Sequence, residues 1–205
     1  RELGASDLTV MMHDMAQKHP DKKDKFKRIL EKLSQNTEDE IVSRVAKKVR
    51  RWMDIGSVVF VSPEAAPFFK AGGMANVVGE LTIELAKSGL KTYVVVPRYH
   101  SLDPSQVHYS GKVTNVPLGD RHGFAKAAIA QKRQNDVEYI FLDNPDFADE
   151  LYGGGKSKEH EMLKATFLSL GALEAMKNLN IHPSLVIGND WMTAPLMAHL
   201  NSSGP

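Results

Sequence analysis

The chain has 205 residues, of which 42% are hydrophobic and 25% are charged, and its formal net charge is +1. Such a composition is typical of a globular protein with one sizeable core and an appendage. The absence of cysteine excludes disulfides, thiolate nucleophiles and thiolate metal sites. The nearly balanced charge argues against a nucleic-acid-binding protein, which requires clustered Lys and Arg.

No apolar run approaches the ~20 residues of a membrane helix and no signal-peptide pattern is present, so we expect an intracellular protein. Because the chain opens at Arg1, we also expect it to be part of a longer protein.

Residues 1–54 are predicted to form a helical amino-terminal extension with three short helices. Apolar residues recur at helical spacing in each of them. They are Leu8, Met11, Met12 and Met15 in the first helix, Phe26, Ile29, Leu30 and Leu33 in the second, and Ile41, Val45, Val49 and Trp52 in the third, which is predicted to bury them. Thr37 and Glu40 have the spacing of a capping box at the start of the third helix. The basic residues of that helix are compatible with either a docking surface or a solvated face.

From Gly56 onward the pattern changes to that of an α/β domain, predicted to cover residues 55–205. Residues 57–61 and 92–96 are β-branched and aromatic runs, typical of parallel strands covered on both faces. The helical stretch 74–88 lies between them and is closed by Gly89. This unit predicts a right-handed crossover and a Rossmann-like, doubly wound, mainly parallel sheet. The remaining predicted elements are a meander at 112–116, 125–131 and 137–142, a helix at 157–179, a strand at 185–187 and a helix from about Thr193.

The loop after the first strand has the pattern of an anion site. Gly72 and Gly73 let the backbone turn sharply and approach a ligand, and the helix that follows offers free N–H groups and the positive end of its dipole. Lys70 adds a positive charge beside them. These features predict a diphosphate site, with an ordinary turn and a surface lysine as the alternative. No G-x-G-x-x-G or G-x-x-x-x-G-K-[ST] pattern is present, and the second strand ends at Arg98 without an acidic residue, which disfavours a dehydrogenase.

Three ordered motifs resemble one family. The run VVFVSPEAAPFFKAGGMANVVGELTIELAKSGLKTYVVVPRY resembles the amino-terminal signature of the bacterial glycogen synthase and plant starch synthase family, whose pattern is close to K-x-G-G-L-[AG]-D-V-V. FLDNPDFADELYGG and FLSLGALEAMKNLNIHPSLVIGNDWMTAPLMAHL resemble the family's acceptor-cleft segment and its long helix, strand and His-Asp-Trp motif. The resemblance covers about residues 56–200 and leaves out the extension.

This resemblance implies the amino-terminal lobe of a two-lobed GT-B glycosyltransferase whose active site lies between the lobes. It implies retaining transfer of glucose from ADP-glucose or UDP-glucose to the 4-hydroxyl at the non-reducing end of an α-1,4-glucan, in the cytoplasm or in a plastid. No metal or other cofactor is implied. The charge on the departing diphosphate would be met by Lys70, by loop amides and by basic residues of the carboxyl-terminal lobe. We therefore expect the 205 residues alone to be inactive.

The resemblance also assigns site residues. Those aligned with the phosphate loop are Lys70, Gly72, Gly73 and Asn76, those aligned with the acceptor side are Asp143 and Tyr152, and those aligned with the His-Asp-Trp motif are Asn189, Asp190 and Trp191. Asn189 and Asp190 are predicted to be catalytic, and the other seven to bind substrate. From the residues alone, Asp143 could equally be a turn residue, Asp190 a helix cap and Trp191 a core anchor.

Two of these positions depart from the family pattern. The aspartate after the glycine pair is Asn76 here, which keeps hydrogen bonding and loses the charge. The motif histidine is Asn189, which can hydrogen-bond a sugar hydroxyl and cannot titrate as histidine does. The sequence therefore predicts an active synthase or, alternatively, a weakened or non-catalytic paralogue that binds glucan or nucleotide-sugar as a scaffold. A third alternative is another nucleotide-dependent enzyme on a Rossmann-type sheet.

Overall fold

The computed structural model describes residues 18–149 and 157–202. The helices are α1 (Lys23–Asn36), α2 (Glu40–Asp54), α3 (Gly73–Lys87), α4 (Lys158–Asn178) and α5 (Ala194–Ser202). The strands are β1 (Ser57–Val61), β2 (Lys91–Pro97), β3 (His108–Pro117), β4 (Phe124–Gln134), β5 (Val137–Asp143) and β6 (Leu185–Gly188). Short 3-10 helices lie at Pro20–Lys22, Pro104–Gln106, Pro145–Phe147 and Trp191–Thr193. The predicted first helix, with Leu8, Met11, Met12 and Met15, lies outside the described residues.

The six strands form one mixed sheet in the order β3-β4-β5-β2-β1-β6. β5, β2, β1 and β6 run parallel to one another, whereas β3 and β4 join β5 as an antiparallel meander. The predicted mainly parallel α/β sheet is thereby confirmed. Since parallel strands end on the same side, the carboxyl ends of four strands meet at one edge, where open α/β sheets bind ligands.

The sheet is covered on both faces because the side chains of each strand alternate between two cores. Val59 of β1 packs in a core with Leu168 of α4 and Leu196 of α5. Its neighbour Val58 packs in the other core with Val78 of α3. All five residues of β1 are buried, so this strand has no polar face, as expected of a doubly wound sheet.

The ends of α3 and α4 follow the sequence closely. Gly89 adopts φ +88° after α3, and the N–H of Leu90 bonds to the carbonyl oxygen of Leu85 at 3.2 Å, which is the bonding of a Schellman end. At the start of α4, the hydroxyl of Ser157 accepts the N–H of His160 at 3.2 Å. Both helix limits agree with the sequence prediction.

The helices α1 and α2 pack against one another around an apolar cluster of their own. Its buried members are Leu30, Ala46, Val49 and Met53. This cluster is separate from the two cores of the sheet. The domain boundary placed after residue 54 stays a prediction.

Two predictions about α2 are wrong. Asp39, and not Thr37, caps the start of this helix, because the Asp39 Oδ1 accepts the N–H of Ile41 at 2.8 Å. Thr37 is instead the C-cap residue of α1. Ile41, in the first turn of the helix, is 62% exposed rather than buried. Val49 is buried as predicted, together with Ala46 and Met53, and the side chain of Trp52 lies outside the described part of the structure. None of the helices in residues 18–149 and 157–202 has the length and apolar character to span a membrane.

Candidate functional site

The loop after β1 lies between the carboxyl ends of the two neighbouring strands. Val61, the last residue of β1, accepts the backbone N–H of Asn189, directly after β6, at 2.9 Å. On the other side, the N–H of Ser62 bonds to the carbonyl oxygen of Val95 in β2 at 3.0 Å. These two bonds hold the glycine-containing loop and the turn after β6 side by side.

The loop folds around the carboxylate of Glu64, whose residue is only 2% exposed. The Oε2 atom accepts hydrogen bonds from the N–H of Ala71 at 2.6 Å and from the N–H of Gly72 at 2.8 Å. The hydroxyl of Ser62 donates to the Glu64 carbonyl oxygen at 2.7 Å. Because hydrogen bonds to an ionised acceptor are stronger than neutral ones, this carboxylate holds both ends of the loop together.

Two adjacent phenylalanines anchor the middle of the same loop, one in each core of the sheet. The ring of Phe69 stacks on that of Tyr99 with the centroids 4.0 Å apart, and the Tyr99 hydroxyl donates to the Pro63 carbonyl at 2.9 Å. Phe68 meets Tyr139 edge to face at 4.7 Å, and burial raises the pKa of Tyr139. The loop is therefore fixed before any ligand binds.

The glycine pair opens α3. Gly72 is the capping residue and Gly73 the first residue of the helix, and both are exposed. Helix geometry leaves the N–H groups of Gly73, Met74 and Ala75 without acceptors inside the helix, whereas Glu64 occupies that of Gly72. Ala75 is fully buried, so the N–H groups of the exposed Gly73 and the half-buried Met74 are the ones that, with the positive end of the helix dipole, can bind an anion.

Two predicted polar side chains flank this helix start. Lys70 is exposed, and Asn76, the fourth residue of α3, is half-buried. Within residues 18–149 and 157–202, neither side chain has a hydrogen-bond or ion-pair partner. Both can therefore turn to a ligand without breaking a contact.

Close packing beneath the loop depends on Gly79. A Cβ atom there would lie 2.8 Å from the carbonyl oxygen of Ala66, closer than carbon and oxygen can approach. The N–H of Ala66 in turn bonds to the carbonyl oxygen of Ala75 at 3.0 Å. The first turns of α3 are thus pressed against the loop, which places the free N–H groups at the sheet edge.

Asn189 is tied to the end of β1 by its backbone and by its side chain. Its N–H and its Nδ2 both donate to the carbonyl oxygen of Val61, at 2.9 Å and 3.3 Å. The residue is half-buried, and no described residue donates to its Oδ1. This oxygen is the acceptor that the side chain can offer to a sugar hydroxyl.

Asp190 has an uncommon backbone conformation and acts as a cap. Its side chain accepts the N–H of Trp191, and its carbonyl oxygen accepts the N–H and the hydroxyl of Thr193 at 3.1 Å and 2.8 Å. The residue adopts φ +70° and ψ 163°, a combination that costs a non-glycine residue ~1–3 kcal/mol. The capping interpretation is therefore correct for the 3-10 turn that leads into α5.

Trp191 lies on the surface. It is 46% exposed, whereas the next residue, Met192, is 0% exposed and fills the core. The interpretation of Trp191 as a core anchor is wrong, because Met192 takes that place. An exposed indole beside the Asn189 turn is a flat apolar surface on which a sugar ring can pack.

Asp143, at the end of β5, is held by two side chains that the sequence analysis did not connect with it. Its Oδ2 lies 2.8 Å from the Nε of Arg98, and the same oxygen accepts the hydroxyl proton of Tyr109. Arg98 also donates through Nη1 to the carbonyl oxygen of Leu102 at 3.0 Å. Burial, followed by the hydrogen bond to Asp143, raises the pKa of Tyr109 to about 12.

The structure brings some of the predicted site residues together and separates others. The Lys70 loop and the Asn189 turn follow adjacent strands, whereas Asp143 is the last residue of β5, a strand that lies two positions and hence ~10 Å from β1 in the sheet. Tyr152 lies outside the described residues. Glu64 is the residue of this loop that the sequence analysis missed, because its bonds to the amides seven and eight residues ahead follow no local pattern. In the part that the structure describes, no group of His, Asp and Glu side chains could hold a metal ion.

Comparison with known proteins identifies the family. The family model of the starch synthase catalytic domain matches residues 57–205. The chain belongs to this family. This starch synthase domain is similar to the glycogen synthase of Bacillus cytotoxicus, with 34% identity over 143 residues that make up 67% of this chain and 28% of that protein. The glycogen synthase of Myxococcus xanthus is 33% identical over 145 residues, covering 67% of this chain and 30% of that protein. The chain thus spans a little under a third of the length of these curated relatives.

A solved structure supports the fold of this starch synthase domain. The catalytic domain of starch synthase IV from Arabidopsis thaliana, bound to ADP and acarbose, superposes with a TM-score of 0.59 at 22% sequence identity. The match covers 68% of this chain and 29% of that chain. The family and the lobe expected from the sequence motifs are therefore confirmed.

Proposed function

We propose that the protein of which this chain forms a part is a glycogen or starch synthase. It transfers glucose, with retention of configuration, from ADP-glucose or UDP-glucose to the non-reducing end of an α-1,4-glucan. The observation that carries this proposal is the helix start at Gly73, whose free N–H groups and neighbouring Lys70 lie at the ligand-binding edge of a starch synthase domain. The related Arabidopsis domain was solved with ADP and acarbose, which agrees with a nucleotide donor and a glucan acceptor.

The phosphate side of the site would stabilise the leaving group. When the bond between glucose and the diphosphate breaks, negative charge develops on the departing phosphate oxygen. The N–H groups of Gly73 and Met74 are preorganised to bind such charge, because the loop is fixed by Glu64, and the exposed side chain of Lys70 can turn towards it. Asn76 would add a neutral hydrogen bond at this position.

The sugar side of the site would be formed by the turn after β6. The free Oδ1 of Asn189 would accept a hydroxyl proton of the transferred glucose, and the exposed Trp191 ring would pack against a sugar face. Asp190 sets the direction of both residues through its cap and its φ of +70°. We propose that Asp143 and Tyr152 line the acceptor side, with Asp143 oriented by Arg98.

The complete reaction requires more protein than this chain contains. Because the chain spans 28% of the Bacillus cytotoxicus relative, we propose that a second lobe contributes the nucleotide-base site and further basic groups. The 205 residues alone are therefore expected to give no glucan synthesis, whereas the complete protein should synthesise glucan. Robust turnover by the isolated chain would contradict the two-lobed mechanism.

A non-catalytic scaffold is the second candidate. It is favoured by the two asparagines, Asn76 and Asn189, at positions where the family pattern has aspartate and histidine. Such a protein would bind nucleotide-sugar or glucan through the same edge and would not turn over.

Transfer of radiolabelled glucose separates the two candidates. The complete protein is incubated with glycogen and with ADP-glucose or UDP-glucose in parallel, and incorporation into glucan is measured. Incorporation with either donor, lost on adding excess ADP or UDP, would support the synthase. Donor binding in calorimetry without any incorporation would identify the scaffold, and the absence of both would refute the proposed function.

A further inference from the structure

The carboxylate of Glu64 is buried beneath the loop that leads into α3. A charged group is rarely buried without compensation, because it loses its hydration. Here the compensation comes from the N–H groups of Ala71 and Gly72, the two residues directly before α3. A negative charge therefore lies directly behind a loop that the proposed function assigns to a negatively charged donor.

We propose that Glu64 is a positioning residue for the donor diphosphate, an inference that rests on the proposed function. Its carboxylate fixes Ala71 and Gly72 so that the next two N–H groups, those of Gly73 and Met74 in α3, face the ligand edge. Without an acceptor at residue 64, these two amides would turn to solvent and the start of the helix would fray. Glu64 touches no substrate in this arrangement and acts through the loop.

The hydrogen bonds to Glu64 leave only some of the backbone N–H groups in this loop available to a ligand. Those of Ala71 and Gly72 are used by the protein itself, so the diphosphate must be held by Lys70 and by the helix N–H groups from Gly73 onward. A Cβ at Gly72 would lie 3.4 Å from the Glu64 Oε1, an ordinary van der Waals distance, so the carboxylate lies directly against this residue.

The geometry allows charge and shape to be tested separately. Both N–H groups donate to one oxygen, Oε2, so the single amide oxygen of glutamine can accept both. Glu64→Gln removes the negative charge and keeps the loop, whereas Glu64→Ala removes the charge and the acceptor. Since both variants are neutral at this position, any difference between them reports the positioning role.

The test measures ADP binding by calorimetry, donor KM and kcat, and hydrogen exchange of residues 64–74 in the complete protein. Glu64→Gln should bind ADP as tightly as the wild type or more tightly, because a repelling charge has been removed. Glu64→Ala should bind ADP about tenfold more weakly than Glu64→Gln, because the preorganised loop is lost. The exchange of the 64–74 segment should rise in the alanine variant alone, and the KM for glucan should stay unchanged in both.

Ser62→Ala is the matched control, because it removes the two buried hydrogen bonds of the Ser62 hydroxyl, to the carbonyl oxygen and from the N–H of Glu64, and leaves the carboxylate in place. It should lower the melting temperature without changing ADP affinity. Equal ADP affinity of the alanine and glutamine variants would overturn the positioning role even if glucose transfer is observed. A tenfold difference without glucose transfer by the wild type would support the role and refute the synthase, and a wild type that binds no ADP would overturn both.

Discussion

Replacing Asp190 by glycine is expected to make the fold more stable. The residue holds φ +70° and ψ 163°, which costs a side chain with a Cβ ~1–3 kcal/mol and costs glycine little. The glycine variant loses the cap at a cost of only a few tenths of a kcal/mol. Glycine also increases the conformational entropy of the unfolded chain, which lowers the free energy of unfolding by ~0.5–1 kcal/mol. The free energy of unfolding should therefore rise by about 1 kcal/mol.

Asp190→Ala is the comparison that isolates the backbone strain. This variant keeps the Cβ and loses the carboxylate that accepts the N–H of Trp191, so its free energy of unfolding should fall by ~0.5–2 kcal/mol. Urea denaturation should place the glycine variant about 2 kcal/mol above the alanine variant. For a protein of this size, each kcal/mol corresponds to roughly 2–4 °C in Tm.

A control and a functional assay complete this prediction. Asn180 also has a positive φ, +55°, in the ordinary left-handed region that asparagine tolerates, so Asn180→Gly should change stability less than Asp190→Gly. Both Asp190 variants should lose glucose transfer if the carboxylate acts in the site. If the glycine variant is no more stable than the alanine variant, the proposed backbone strain at Asp190 is refuted, independently of the activity of either variant.

Three further predictions concern Lys70, Asn189 and Tyr109. Lys70→Ala should weaken donor binding or turnover by ~10-fold or more, because a charge-assisted contact contributes ~1.5–3 kcal/mol. Lys87→Ala, at the other end of α3, should leave donor kinetics unchanged, and equal kinetics for both variants would reduce Lys70 to a surface residue. Asn189→Ala should lower turnover more than Asn189→His, because a buried sugar hydroxyl left unpaired costs roughly 1–3 kcal/mol; a change in Tm alone for both would show that this residue only supports the turn. Since the pKa of Tyr109 is about 12 in the fold against 10.0 ordinarily, its contribution to stability is complete below pH 10 and is lost as the pH rises towards 12. Tyr109→Phe should remove that loss from the pH dependence of the free energy of unfolding, and an unchanged pH dependence would contradict the raised pKa of Tyr109.

The parallel part of the fold was predictable because its signals are local. The apolar run of β1 and the glycine at position 89 define a strand and a helix end without reference to the rest of the chain. The start of α2 was mispredicted because Thr37, Glu38 and Asp39 offer competing starts. The end of α1 uses Thr37, so the cap moves to Asp39, and Ile41 lies exposed in the first turn of α2.

The candidate site was predicted by motif, and the contacts that shape it were not. Glu64 reaches amides seven and eight residues ahead, and such closure depends on how the loop packs between the two cores. Arg98, Tyr109 and Asp143 come from three different strands or strand ends. No pattern within one segment can reveal a contact that forms only when the sheet is assembled.

The position of β6 at one side of the sheet determines where further parts of the site can come from. Among the described residues its only strand partner is β1, and at the opposite side β3 carries a bulge between Tyr109 and Val113, which discourages the addition of another strand. An additional parallel strand therefore has its natural place beside β6 and would end level with Asn189. Any polypeptide that widens this sheet at β6 would thereby also border the turn at Asn189, where we propose that the sugar binds.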